Sequence, residues 1–186
     1  MQNDAQEIKD FRNRPLLFID LEFSGLDARI HEILEVGAIT VDPTTLEIKE
    51  EYEAKIKPLH IENADPKALE INGYNQKDWQ NGIEITEALN KLNQMAPQGM
   101  IVGWNMAWDT MFLDIAYKNN NIKPVFDYHR IDVLGMAYTW ALKHPEIRDV
   151  KLSAFCRHFE IERKNAHTAL ADTKATYEVF LRLLGN

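Results

Sequence analysis

The sequence predicts an α/β domain, a mixed β-sheet with helices on its faces. Three observations predict it. The run Leu16-Leu17-Phe18-Ile19 is continuously apolar, the pattern of a central strand covered on both sides. Two further strand-like runs follow at 33–41 and 48–56 with only turn chemistry between them. From residue 85 onward, stripes with helical spacing alternate with short apolar strands at 100–104 and 131–133.

Each element has its own justification. Residues 1–14 are polar, with Ile8 and Phe11 as the large apolar members, and read as an arm or a short helix leaning on a single domain at 15–186. The first strand runs from Leu16 and ends at Ser24-Gly25. The second, Ile33-Leu34-Glu35-Val36-Gly37-Ala38-Ile39-Thr40-Val41, turns at Asp42-Pro43-Thr44-Thr45 into the third. That third strand alternates Tyr52, Ala54 and Ile56 with Glu51, Glu53 and Lys55, so one of its faces is wet. The three form an antiparallel meander with the charged strand at an edge, where charge deters pairing with other chains. Pro66 opens a short helix that Gly73 ends. A helix at 85–95 buries Leu89, Leu92 and Met95. A helix at 107–117 turns Met111, Phe112, Ile115 and Ala116 inward, with Trp108 in the core. Further helices are expected at 134–142, 152–159 and 169–184.

The totals bound what the chain does. Its 186 residues, 45% hydrophobic and 27% charged, suit one globular core that removes roughly 70% of the unfolded surface from water. No apolar run reaches membrane-spanning length and no signal-peptide pattern opens the chain, so a cytoplasmic protein is expected. Cys156, the only cysteine, excludes an internal disulfide and reads as a small buried apolar residue. The net charge of −8 argues against non-specific clinging to DNA. Residues 143–167 nevertheless carry a local excess of two positive charges, either a track for a phosphate backbone or a mixed solvated surface.

Asp20 and Glu22 need a reason within a buried strand. Alternation puts both on one side, with Ile19 and Leu21 on the other. Like charges there repel and lose solvation, which raises one pKa unless a cation lies between them. The pair therefore points to a hard divalent ion with oxygen ligands, Mg²⁺ or Mn²⁺. In Gly103-Trp104-Asn105-Met106-Ala107-Trp108-Asp109 a strand ends and a helix begins, where open α/β sheets place ligands. Asn105 reads there as a helix cap or a substrate contact, and Asp109 as an acid near a helix start or a further ligand. In His167-Thr168-Ala169-Leu170-Ala171-Asp172, the histidine and the aspartate approach one place from a loop and from a helix. Asp172 adds a carboxylate to the first pair. A neutral imidazole there has the pKa to serve as a general base.

These residues resemble a known family. Asp20-x-Glu22 within Phe-Ile-Asp-x-Glu-x-Ser-Gly-Leu-Asp, then Asn105-x-x-x-Asp109 after Val-Gly-Trp, then His167-x-x-x-x-Asp172 before the last helix, is similar to the DnaQ-like 3′-to-5′ exonucleases of the DEDDh type. Glu35-Val36-Gly37-Ala38 and Ile71-Asn72-Gly73 resemble the family as well. The resemblance implies an α/β, ribonuclease H-like fold, with a five-stranded mixed sheet in the order 3-2-1-4-5 flanked by helices. It implies two divalent metal ions, Mg²⁺ with Mn²⁺ as a substitute. Asp20, Glu22 and Asp172 would hold one, with Asp20 bridging to a second that Asp109 holds through water. His167 would take a proton from the attacking water, in a two-metal clamp that stabilises the entering and the leaving oxygen. The implied substrates are 3′ ends of single-stranded DNA or RNA, and the products nucleoside 5′-monophosphates. No Tyr-x-x-x-Asp ends at Asp172, which separates the chain from the tyrosine-using relatives.

Phe23-Ser24 departs from the threonines, or Met-Thr, usual in the family after the glutamate. These two positions are expected to bind substrate, Phe23 either stacking on a base or packing in the core. The same dipeptide resembles some RNA-trimming members. Two alternatives stay open from sequence: a non-catalytic nucleic-acid-binding module of the same fold, and a proofreading partner of a polymerase.

Overall fold

The computed structural model describes residues 7–163 and 168–185. Five strands, β1 (Leu16–Phe23), β2 (Ile33–Val41), β3 (Ile48–Lys55), β4 (Met100–Gly103) and β5 (Arg130–Asp132), form one sheet in the order β3-β2-β1-β4-β5. β1 to β3 are an antiparallel meander, while β4 and β5 join β1 in parallel. The helices are α1 (Pro66–Ile71), α2 (Gln76–Trp79), α3 (Ile85–Met95), α4 (Ala107–Asn119), α5 (Val133–Ala141), α6 (Leu152–His158) and α7 (Ala169–Leu183). None of them is long and apolar enough to cross a membrane.

Strand alternation divides the core into two layers. Leu17, Ile19 and Leu21 pack with Leu89 and Leu92 of α3 and with Phe112 and Leu113 of α4. Leu16 and Phe18 face the other way, against Val133 of α5, Phe155 of α6 and Val179 and Phe180 of α7. Phe18 sits in the centre of that second layer, edge-on to Tyr177 and Phe180 at ring distances of 5.5 and 5.2 Å. Asp20 and Glu22 continue the even-numbered side of β1, so the strand's own pleat sets them on the face that α7 crosses. All nine residues of β2 are buried, as a strand covered on both sides requires. Cys156 is buried in the second layer, as expected.

The structure corrects some local expectations. α2 has four residues, too few to show a period; Asn75 caps it and its Trp79 docks on β2, donating from Nε1 to Leu34 O at 2.8 Å. Trp108 and Met111 of α4 are each 37% exposed rather than inward. At 100° per residue the buried stripe runs through Asp109, Phe112, Leu113 and Tyr117, which leaves 108 and 111 on its flank. The described end of the N-terminal arm is tied down, with Ile8 N donating to Gln98 Oε1 at 2.8 Å and Arg14 paired with Asp127 at 3.1 Å.

Candidate active site

Four acids distant in the chain meet beside the end of β1. Asp20 and Glu22 come from the strand, and Asp109 from the first turn of α4, where its Oδ1 accepts the Leu21 N–H at 3.1 Å. Asp172 comes from the first turn of α7. That helix lies close because position 37, the β2 partner of Asp20, has no side chain. A Cβ on Gly37 would fall well inside 3.0 Å of Ala169 C, Leu170 N and Ala169 O, all of them backbone. Three further contacts seat the helix start. Ala169 N donates to Glu35 Oε1 at 2.8 Å, Ala171 N to Thr168 Oγ1 at 3.4 Å, and Thr173 Oγ1 to Gly37 O at 2.9 Å.

The electrostatics follow from this crowding. Burial, then the charges of Asp109, Glu22 and Asp172, push the Asp20 carboxyl well above the usual carboxylate range, with Arg163 pulling the other way. Burial pushes Glu22 up to about 8, and Asp172, Glu35 and Asp109 add to the rise. Burial likewise lifts Asp109 to about 7, against hydrogen bonds from its own N–H and that of Leu21, while Asp132 raises it further. Arg163 donates from a terminal nitrogen to Asp172 Oδ1, and its Nε is buried with no partner among the described residues. An all-oxygen donor set in which Asp20, Glu22 and Asp109 resist ionising fits a hard divalent cation.

The remaining expectations divide. Asn105 does not cap α4: the cap position is Met106, and Asn105 takes a left-handed φ of 57° while its N–H donates to Asp132 Oδ1 at 3.0 Å. Asp132, which no sequence pattern marks as functional, also accepts from Met106 N at 3.2 Å and Leu134 N at 3.0 Å, so one carboxylate seats the starts of α4 and α5. Phe23 stacks on Phe112 with ring centres 4.0 Å apart, on the inward side that alternation gives it. Ser24 is 2% exposed, and its hydroxyl accepts the Glu32 N–H at 2.8 Å, so it holds the loop and shows almost no surface. Asn72 of the Ile-Asn-Gly segment donates to Phe23 O at 3.0 Å and steadies the same strand end. His167 lies outside the described residues. Glu35 and Arg163 were given no role from sequence. Glu35 carried the same signal as Asp20, a carboxylate in an apolar strand, whereas Arg163 sat unremarkably in a basic stretch.

A sheet of this order with acids gathered over its first strand is the ribonuclease H-like fold. The chain belongs to the RNase_T exonuclease family, whose profile matches residues 17–180. It is 27% identical to the PolC-type DNA polymerase III of Bacillus subtilis over 165 residues, 89% of this chain and 11% of that protein. It is also 27% identical to ribonuclease T of Haemophilus influenzae over 206 residues, covering 99% of this chain and 88% of that protein. The nuclease domain of 3′hExo, a DEDDh family member solved bound to rAMP, superposes with a TM-score of 0.75 at 17% identity, covering 93% of this chain and 92% of that one.

Proposed function

We propose that this chain is a metal-dependent exonuclease that shortens single-stranded DNA or RNA from the 3′ end and releases nucleoside 5′-monophosphates. The observation that carries this reading is the convergence of Asp20, Glu22, Asp109 and Asp172 from three separate elements. A fold alone has no use for acids crowded so that burial and neighbouring carboxylates push Asp20 and Glu22 well above the usual carboxylate range. The rAMP in the 3′hExo neighbour supports a site that accepts a nucleoside monophosphate.

Asp20, Glu22 and Asp172 would hold one divalent cation, and Asp20 together with Asp109 a second. Such cations, when bound, neutralise the phosphate and stabilise charge on the entering and leaving oxygens. The chain's own side chains do the rest. The strand and two helix starts bring the four carboxylates to one place, close enough that the charges of Glu22, Asp109 and Asp172 act on Asp20. His167 would take the proton of the attacking water, a role that the near-neutral pKa of an unperturbed imidazole suits. Phe23, braced on Phe112, would support the terminal base, while Asn105 would contact the end nucleotide from the turn before α4.

The test is an oligonucleotide labelled at one end or the other, incubated with Mg²⁺ or Mn²⁺. A 5′ label should give a descending ladder and a 3′ label an immediate mononucleotide. No shortening with either ion would leave only the non-catalytic binding module. Matched DNA and RNA ladders decide the substrate, for which the relatives point both ways, to a ribonuclease and to DNA polymerases. The PolC-type match also favours work beside a polymerase, which co-elution from a cell extract would reveal.

A further inference from the structure

Apart from the four acids, a second cluster has the chemistry of a metal site. His144 follows α5, Glu146 lies in the loop after it, and His158 ends α6. Each offers one donor atom, and the three atoms lie within 4.8 Å of one another. We propose that His144, Glu146 and His158 bind a first-row transition-metal ion of the zinc class, which ties the α5–α6 loop to the end of α6.

Distances support this. His144 Nδ1 is 3.1 Å and His158 Nδ1 4.0 Å from the same Glu146 Oε1. Ligands around a tetrahedral ion with bonds of about 2.0–2.1 Å sit about 3.3 Å apart, so the first pair is nearly at that spacing and the second a fraction of an ångström beyond it. A hydrogen bond accounts for the first approach. It does not account for the second, which is too long for one.

The two imidazoles are also held in place. The Trp140 ring lies flat on His144 at 3.5 Å and 5°, and its edge meets His158 at 5.4 Å and 67°. Phe159 packs edge-on to His158 at 5.0 Å. This packing supplies the pre-organisation that metal ligands ordinarily obtain from a surrounding shell of hydrogen bonds. Two imidazole nitrogens and one carboxylate suit zinc, nickel or cobalt, and not the magnesium that the all-oxygen cluster suits. Glu146 and His158 are exposed, which leaves the fourth position to water.

The test is calorimetric titration with ZnCl₂ in a large excess of Mg²⁺, on the whole chain and on His144→Ala, Glu146→Gln and His158→Asn. One Zn²⁺ per chain is expected, with affinity falling at least about 10-fold in each variant, as loss of one of three ligands requires. Zn²⁺ should also raise the melting temperature of the wild type and not that of the variants. Zn²⁺ binding that is unchanged in His158→Asn, or absent from the wild type, overturns the proposal. Because Glu146 and His158 are exposed, their variants keep the experiment decisive if His144→Ala misfolds. Mg²⁺-dependent exonuclease activity should be the same in all three variants.

Discussion

Gly37→Ala should injure both stability and the carboxylate cluster, because at this position helix backbone lies where a methyl group would go. The clashing atoms belong to Ala169 and Leu170, which cannot rotate aside as a side chain would. Ordinary van der Waals spacing returns only if the start of α7 lifts by about 1 Å. Overpacking of this kind costs about 1–3 kcal/mol. Lifting the helix also weakens the Ala169 N–H to Glu35 hydrogen bond, worth about 1.5–3 kcal/mol when its acceptor is charged. The two together come to about 4 kcal/mol, which for a chain of this size lowers the melting temperature by about 10 °C. Asp172 is three residues beyond Ala169 and moves with it, and a 1 Å misplacement of catalytic machinery costs about 100-fold in rate. Thermal melts followed by circular dichroism, together with turnover of a 5′-labelled oligonucleotide, measure both effects. Gly135→Ala is the control: its Cβ meets nothing within 4 Å in an exposed turn of α5, so it should stabilise by about 0.4–1 kcal/mol. If Gly37→Ala melted with the wild type and kept its rate, close approach of α7 to β2 would not be what positions Asp172.

Other outcomes follow from the same geometry. In metal-free protein burial pushes the carboxyls of Glu22 and Asp109 up to about 8 and about 7, against 4.5 and 3.8 for these side chains when unconstrained. The native state thus holds its protons more tightly than the unfolded chain. Stability should be fullest below about pH 4 for these two groups and fall as pH rises toward 8, by up to about 1.4 kcal/mol per pH unit for each differing proton. Millimolar Mg²⁺ should flatten that slope in urea titrations at pH 5.5 and 8, and a metal-free chain with no slope would contradict the burial argument. Asp20→Asn should abolish turnover and weaken Mn²⁺ binding measured by paramagnetic resonance. His167→Ala should lower kcat about 10²- to 10⁴-fold while Mn²⁺ binding persists; an unchanged kcat at pH 7 would remove the general-base role. Arg163→Gln takes a competing cation from Asp172 and should tighten Mg²⁺ binding about 10-fold by calorimetry, equal affinity showing that the pair does not compete.

The sequence by itself determined the strands and the longer helices, because period-2 and period-3.6 patterns are local, whereas the strand order came from the family resemblance and the four-residue α2 is too short to show a period. It also marked Asp20 and Glu22, since ionisable groups in an apolar run are anomalies visible without coordinates, whereas Asp109 and Asp172 stood out through their likeness to the family's motifs. It does not fix which flank of a helix meets the sheet, so its pattern points Trp108 and Met111 inward where α4 leaves each 37% exposed. Nor could it show Asp132 holding two helix starts, Glu35 receiving α7, or Arg163 lying on Asp172, since each joins residues that only folding brings together. The physical reason is one of range. Alternation and burial act on neighbours in the chain, whereas the rise in the pKa of Glu22 and the fit of α7 over Gly37 depend on through-space distances that the packed core alone sets.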